Sequence, residues 1–97
     1  IETMTRSLAV ELGRRNPRIR VNCIQPGPVL LGEDATDAFA QKMATSTLAG
    51  KVGTPEHVAH ATQFLCENDF VTGICVPVDG GRSIFAPDGI QAGLNSG

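Results

Sequence analysis

Tryptophan and tyrosine are both absent from these 97 residues, and the aromatic side chains are four phenylalanines. Without a phenol, the chain has no tyrosine for acid–base chemistry. Cysteine is scarce as well. Cys23, Cys66 and Cys75 are odd in number and show no C-x-x-C spacing, so neither a disulfide framework nor a zinc site is supported; free thiols in a reducing compartment fit better. No run approaches the roughly 18 apolar residues that a membrane span requires, and no charged-then-apolar leader marks a signal peptide. The expected location is cytoplasmic with no membrane partner, a leader ahead of Ile1 being left open. Positive charge is in short supply too: eight Lys and Arg face ten Asp and Glu, for a formal net charge of -2. A nucleic-acid partner would call for a strongly basic footprint, so none is expected. The local cluster Arg14, Arg15, Arg18 and Arg20 reads as a solvated helix C-terminus whose cations complement the macrodipole.

What is present is a 41% apolar content, enough to build a core. The first residues, Ile1-Glu2-Thr3-Met4, have no cap before them and read as the interior of a helix, so the chain is expected to be a fragment of a larger protein. Ile1, Met4, Leu8 and Leu12 recur at spacings of three and four, with Ala9 flanking them, one face of a helix, with Gly13 as its natural stop. Asn16-Pro17 breaks the chain, and Ile19 to Ile24 reads as a largely apolar strand of the kind found inside a sheet. Residues 29–52 form a long excursion with one weak helical patch around Ala38 to Ala44, and such excursions are often lids or binding loops. Thr54-Pro55-Glu56-His57 is a strong helix start: Thr54 as N-cap, Pro55 at the first helical position, Glu56 against the positive helix end. Val58, Ala61, Thr62 and Leu65 share a face of that helix, which runs out at Asn68-Asp69. Ile74 to Val78 is a second strand, and Pro77 within it requires an edge position or a proline nitrogen facing outward.

The order is helix, strand, excursion plus helix, strand. A crossover of that length makes the two strands parallel and the connection right-handed. Two strands and two helices cannot cover both faces of a parallel sheet, so the fragment alone is expected to fold poorly, its missing strands lying ahead of Ile1.

The stretch Arg20 to Val29 carries the functional signal, because its apolar run stops at Pro26-Gly27-Pro28. In open parallel sheets ligands sit beyond the carboxyl ends of strands, and a Pro-Gly turn there lets bare backbone approach a flat ring. Other clusters read more plainly. His57, His60 and Cys66 do not converge as zinc ligands must, and exposed helix histidines are the ordinary explanation. Glu33, Asp34 and Asp37 have no partner in sequence and read as a solvated rim. Asp79-Gly80-Gly81 lacks a following helix start, so it reads as a tight turn rather than a phosphate cradle.

Five ordered blocks resemble the C-terminal part of a short-chain dehydrogenase/reductase: Thr5 to Leu12, Ile19 to Asn22, Pro26 to Val29, Gly53 to Glu56 and Val78 to Gly81. The resemblance covers residues 1–84 and implies an α/β fold, the C-terminal portion of a doubly wound parallel (Rossmann) sheet whose N-terminal half is absent, with residues 85–97 as a tail. It implies NADP as cofactor, with NAD as the alternative, and a small-molecule substrate. In that family a Tyr-x-x-x-Lys pair and a Ser carry the chemistry. None of the three matches a position here, so no catalytic residue is assigned and the chain alone is expected to be inactive. The resemblance assigns cofactor contacts to Pro26, Gly27, Pro28 and Val29, the Val29 backbone meeting the carboxamide. Many members place a Thr two residues after that Val; here it is Leu31, and Leu30 with Leu31 is expected to make the substrate side more apolar. Pro28 to Leu31, Phe70 to Gly73 and Asp79 to Ser83 together are similar to the pteridine reductase branch, with 3-oxoacyl carrier-protein reductases and general alcohol dehydrogenases as alternatives. A homodimer or homotetramer is implied, with Arg82 or Ile84 as interface residues. A catalytically dead assembly module is the alternative of another class.

Overall fold

The computed structural model describes residues 1–29 and 37–85. Helix α1 spans Glu2–Arg15, strand β1 Cys23–Pro26, helix α2 Asp37–Ala44, helix α3 Pro55–Glu67 and strand β2 Cys75–Val78, followed by a 3-10 turn at Arg82–Ile84. The strands pair in parallel, Cys23 opposite Cys75 through Pro26 opposite Val78. The α/β fold with a parallel sheet is therefore as expected, and the length of the crossover is its cause.

Helix α1 departs from its sequence reading twice. It runs through Gly13 to Arg15 and ends only where Asn16 turns extended, φ -150 and ψ 110, ahead of Pro17. An interior glycine costs about 1 kcal/mol, which does not stop a helix; the proline does. Ion pairs Glu2–Arg6 at 3.4 Å and Glu11–Arg15 at 2.6 Å sit one turn apart on its exposed surface. Each contributes only about 0.3–0.5 kcal/mol. The buried face is not the Ile1–Met4–Leu8 stripe but Thr5 and Ala9, while Met4 and Leu8 are exposed. Small side chains win because the helix lies close to the sheet. A Cβ on Gly73 would stand 3.5 Å from that of Ala9, and Cys75 Sγ donates to Thr5 Oγ1 at 3.5 Å.

Strand β1 begins at Cys23 rather than Ile19, because side chains replace the ladder before it. Thr72 Oγ1 accepts the Val21 N–H at 3.1 Å, Asn22 Oδ1 accepts the Ile74 N–H at 3.1 Å, and Asn22 Nδ2 donates to the Val71 carbonyl at 3.0 Å. Polar side chains of this kind offer backbone groups an alternative to sheet pairing. The carbonyls of Ile74, just ahead of β2, and of Val78, at its end, accept from Cys23 and Gly27. With a period of two, the Pro77 nitrogen then points to the outer edge, as its chemistry requires.

Helix α3 starts at Thr54 as its sequence indicates, with Leu65 as its buried residue. Its far end holds a further departure. Arg20, read as one of several solvated cations, is half-buried and donates to the carbonyls of Leu65 at 2.7 Å, Cys66 at 3.1 Å and Val71 at 3.1 Å. The guanidinium caps the negative end of α3 and ties it to the approach to β1. Ala9 and Leu65 are the buried apolar residues among those described, so the hydrophobic core is small.

Candidate functional site

The carboxyl end of β1 is joined to β2 one residue past the strand, where the Gly27 N–H donates to the Val78 carbonyl at 3.0 Å. A Cβ on Gly27 would lie 2.6 Å from both Cα and Cβ of Asp79. The residue after β2 thus itself requires a glycine at this turn. Pro26 is exposed within the strand; Gly27, Pro28 and Val29 are half-buried. Leu30 and Leu31, the expected substrate contacts, and Glu33 and Asp34 lie outside the described residues.

After the turn, the Pro28 carbonyl accepts the Gly53 N–H at 2.8 Å, and Val29 and Gly53 form a parallel bridge. With the Pro28 carbonyl bonded to Gly53, Val29 turns its own N–H and C=O to the opposite side. Among the described residues, those two groups have no hydrogen-bond partner. One donor and one acceptor thus stand side by side at the carboxyl end of a parallel strand, the complement of a carboxamide.

Gly53 leads directly into α3, whose first turn is a capping box with His57 at its third position. The Thr54 N–H donates to His57 Nδ1 at 2.9 Å, and Thr54 Oγ1 lies 3.2 Å from the same nitrogen. Acceptance at Nδ1 places the proton of a neutral ring on Nε2. The second histidine, His60, lines the same cavity of about 460 Å³, whose wall also includes Pro28, Gly53, His57, Val78 and Asp79.

Asp79 closes this wall by serving the backbone. Its Oδ1 accepts the Gly81 N–H at 3.0 Å and its Oδ2 the Ser83 N–H at 2.9 Å. Partial burial opposes its charge, but the Ser83 side-chain and backbone bonds and the Gly81 amide outweigh it and hold the carboxyl below its ordinary 3.8. Contrary to the sequence reading, a short 3-10 turn does follow Gly81. Gly80 and Gly81, at φ 61 and 86, receive the segment after α2. Added Cβ atoms there would meet Thr47 at 3.1 Å and Leu48 at 2.9 Å, and the Ala49 N–H donates to the Gly80 carbonyl at 2.9 Å. Buried Thr47 supports that segment, its hydroxyl donating to the Lys51 carbonyl at 2.9 Å and accepting the Gly50 N–H at 3.1 Å. The excursion is therefore fastened at its far end to the same wall. Sequence reasoning missed Thr47, for which no local pattern gives a signal, and the role of His57, which was legible as the third residue after a Thr cap.

Residues 1–83 match the family described as Enoyl-(Acyl carrier protein) reductase. A short chain dehydrogenase from Bacillus anthracis is 38% identical in sequence and superposes with a TM-score of 0.70, covering 84% of this chain and 33% of that one. The chain belongs to the short-chain dehydrogenase/reductase family. Among family members of known structure, a small-chain dehydrogenase in complex with NADPH is 37% identical with a TM-score of 0.67, over 84% of this chain and 38% of its own. Among curated members, carbonyl reductase family member 4 of Danio rerio is 44% identical over 88% of this chain and 35% of its own length. The 3-oxoacyl-[acyl-carrier-protein] reductase FabG of Chlamydia muridarum is 39% identical over 81% and 33%. A (2S)-[(R)-hydroxy(phenyl)methyl]succinyl-CoA dehydrogenase subunit, BbsD of Thauera aromatica, is 40% identical over 86% and 34%. The chain thus spans about a third of the length of these curated relatives.

Proposed function

We propose that this chain forms the nicotinamide-facing wall of an NAD(P)-dependent oxidoreductase, with NADP as the preferred cofactor. The observation that carries the reading is the N–H and C=O of Val29 beyond β1, which have no hydrogen-bond partner among the described residues and suit a carboxamide. The similarity to a dehydrogenase solved with NADPH supports it. The cofactor, when bound, supplies the hydride. Val29 would orient the ring through its backbone amide and carbonyl, with Pro28 beside it, while Gly27 lets the end of β2 brace the turn. The proton at the substrate oxygen comes from outside these residues, since no tyrosine is among them. Residues 1–97 alone are therefore expected to show neither turnover nor tight cofactor binding.

Two substrate classes compete. The blocks Pro28 to Leu31, Phe70 to Gly73 and Asp79 to Ser83 favour a dihydropteridine or dihydrofolate. The names of several relatives, among them FabG, BbsD and a Bacillus subtilis probable 2,4-dienoyl-CoA reductase, favour an acyl group carried as a thioester, and this is the reading adopted. Fluorescence titration of NADPH against the gene product containing this chain tests the cofactor, with micromolar binding expected. Absence of binding at high micromolar NADPH overturns the oxidoreductase and leaves an assembly module. Turnover of acetoacetyl thioester, dihydrobiopterin and dihydrofolate then separates the substrate classes, and a preference for a pteridine reverses the choice made above.

A further inference from the structure

We infer that His57 is a positioning residue that makes the cofactor-facing turn sensitive to pH; the inference rests on the cofactor reading above. A capping box ordinarily carries Glu or Gln at its third position, side chains that go on accepting a hydrogen bond through neutral pH. Here the acceptor is an imidazole nitrogen, Nδ1, 2.9 Å from the Thr54 N–H. Protonation at Nδ1 removes the lone pair and with it the bond. It also places a cation at the positive end of α3, which opposes it.

The consequence reaches the turn through one residue. Gly53 precedes Thr54, and its N–H holds the Pro28 carbonyl at 2.8 Å, the contact that sets the side to which Val29 presents its donor and acceptor. Loosening the first turn of α3 frees Gly53 and releases Val29 from that orientation. Thr54 Oγ1, 3.2 Å from Nδ1, can accept from the protonated ring, but the Thr54 N–H is left without its acceptor. Lys51 from the α2–α3 connection and His60 from the next turn line the same cavity. Asp79 also lines it, but its two oxygens serve the Gly81 and Ser83 amides. Glu56, adjacent in sequence, is exposed at the helix start.

The test measures NADPH affinity of the gene product at about pH 8 and about pH 5.5, a span across which histidines as a class gain a proton, in the wild type, His57→Gln, His57→Leu and His60→Gln. Gln keeps an uncharged acceptor at the third position. The wild type and His60→Gln are expected to lose about fivefold more affinity on acidification than His57→Gln, the scale of one helix cap. His57→Leu is expected to bind weakly at both pH values. Equal pH dependence in the wild type and His57→Gln overturns the inference while NADPH binding at pH 8 leaves the cofactor reading standing. Hydrogen exchange at Gly53 and Thr54, corrected for intrinsic rates, supplies a readout independent of cofactor. If NADPH fails to bind at pH 8, the cofactor reading falls, and an unchanged wild-type protection pattern across pH overturns the cap switch separately. Should His57→Leu not fold, the comparison of the wild type with His57→Gln decides the matter.

Discussion

Gly27 and Asp79 meet at the carboxyl ends of the two strands, where one side chain's absence makes room for another's backbone work. Gly27→Ala is expected to cost about 1–3 kcal/mol of stability, the usual range for overpacking, because its Cβ would sit 2.6 Å from the Asp79 Cα and neither strand end is free to withdraw. Chemical denaturation of the gene product measures this, and an unchanged midpoint would show that the strand ends yield. Asp79 titrates below its unfolded value, so its contribution is fully present above about pH 4 and is lost as pH falls through the lower, folded value. Asp79→Asn should therefore flatten the acid limb of stability below about pH 4, and a limb that persists unaltered would assign it to other carboxylates. The cysteines differ by environment. Cys66 is exposed, whereas partial burial and then the facing Cys75 raise the Cys23 thiol above its ordinary 9.0. Thiolate, not thiol, is alkylated, so mass spectrometry of a brief iodoacetamide pulse at neutral pH should find Cys66 labelled first and Cys23 last. Early labelling of Cys23 would contradict that order.

At the level of elements, the two ends of α3 are held by different means. Thr54 and His57 hold its start locally, and Arg20 holds its end from a distance of 45 residues in sequence. Arg20→Met removes three charge-assisted bonds from carbonyls and should cost about 1.5–3 kcal/mol, with faster hydrogen exchange confined to residues near 65–71. Uniform acceleration along α3 would instead point to lost packing. The contrast explains what was legible in the sequence. The start of α3 and the outward Pro77 nitrogen follow from local chemistry and were readable from a few adjacent residues, and the parallel strands were readable from the length of the crossover between them. Arg20 looked like its neighbours Arg14, Arg15 and Arg18 because its distinction lies in carbonyls brought near only by folding. The buried stripe of α1 was misread for a related reason: close approach to a sheet selects small Thr5 and Ala9 over larger Met4 and Leu8, and hydrophobicity alone ranks them the other way. At the candidate site, the turn from Pro26 to Val29 was legible from the end of an apolar run, whereas the close contact of Gly27 with Asp79 was not, because Asp79 is brought near only by folding.

At the scale of the molecule, the decisive quantity is how little apolar surface the described residues withdraw from water. Ala9 and Leu65 are buried, while Ile1, Met4 and Leu8 of α1, Phe64 of α3, Phe70 at 96% exposure and Ile84 at 70% all face solvent. Burial contributes roughly 25 cal/mol for each square ångström of apolar area, and ordering the backbone costs about 1–2 kcal/mol per residue, so a core of this size leaves little to oppose the chain's entropy. Short hydrogen bonds at the turn do not alter that balance, because each is worth only about 1 kcal/mol net. The purified 97-residue chain is accordingly expected to melt over a broad range without a cooperative midpoint and to bind a hydrophobic dye at room temperature, as loosely packed states do. The gene product containing it, if it supplies the further two-thirds of sequence seen in the curated relatives, should melt cooperatively and exclude the dye. A sharp transition from residues 1–97 alone, without dye binding, would mean that these exposed side chains find cover within the chain or in a second copy. Sedimentation at two concentrations would tell those apart, since only self-association makes the midpoint rise with concentration.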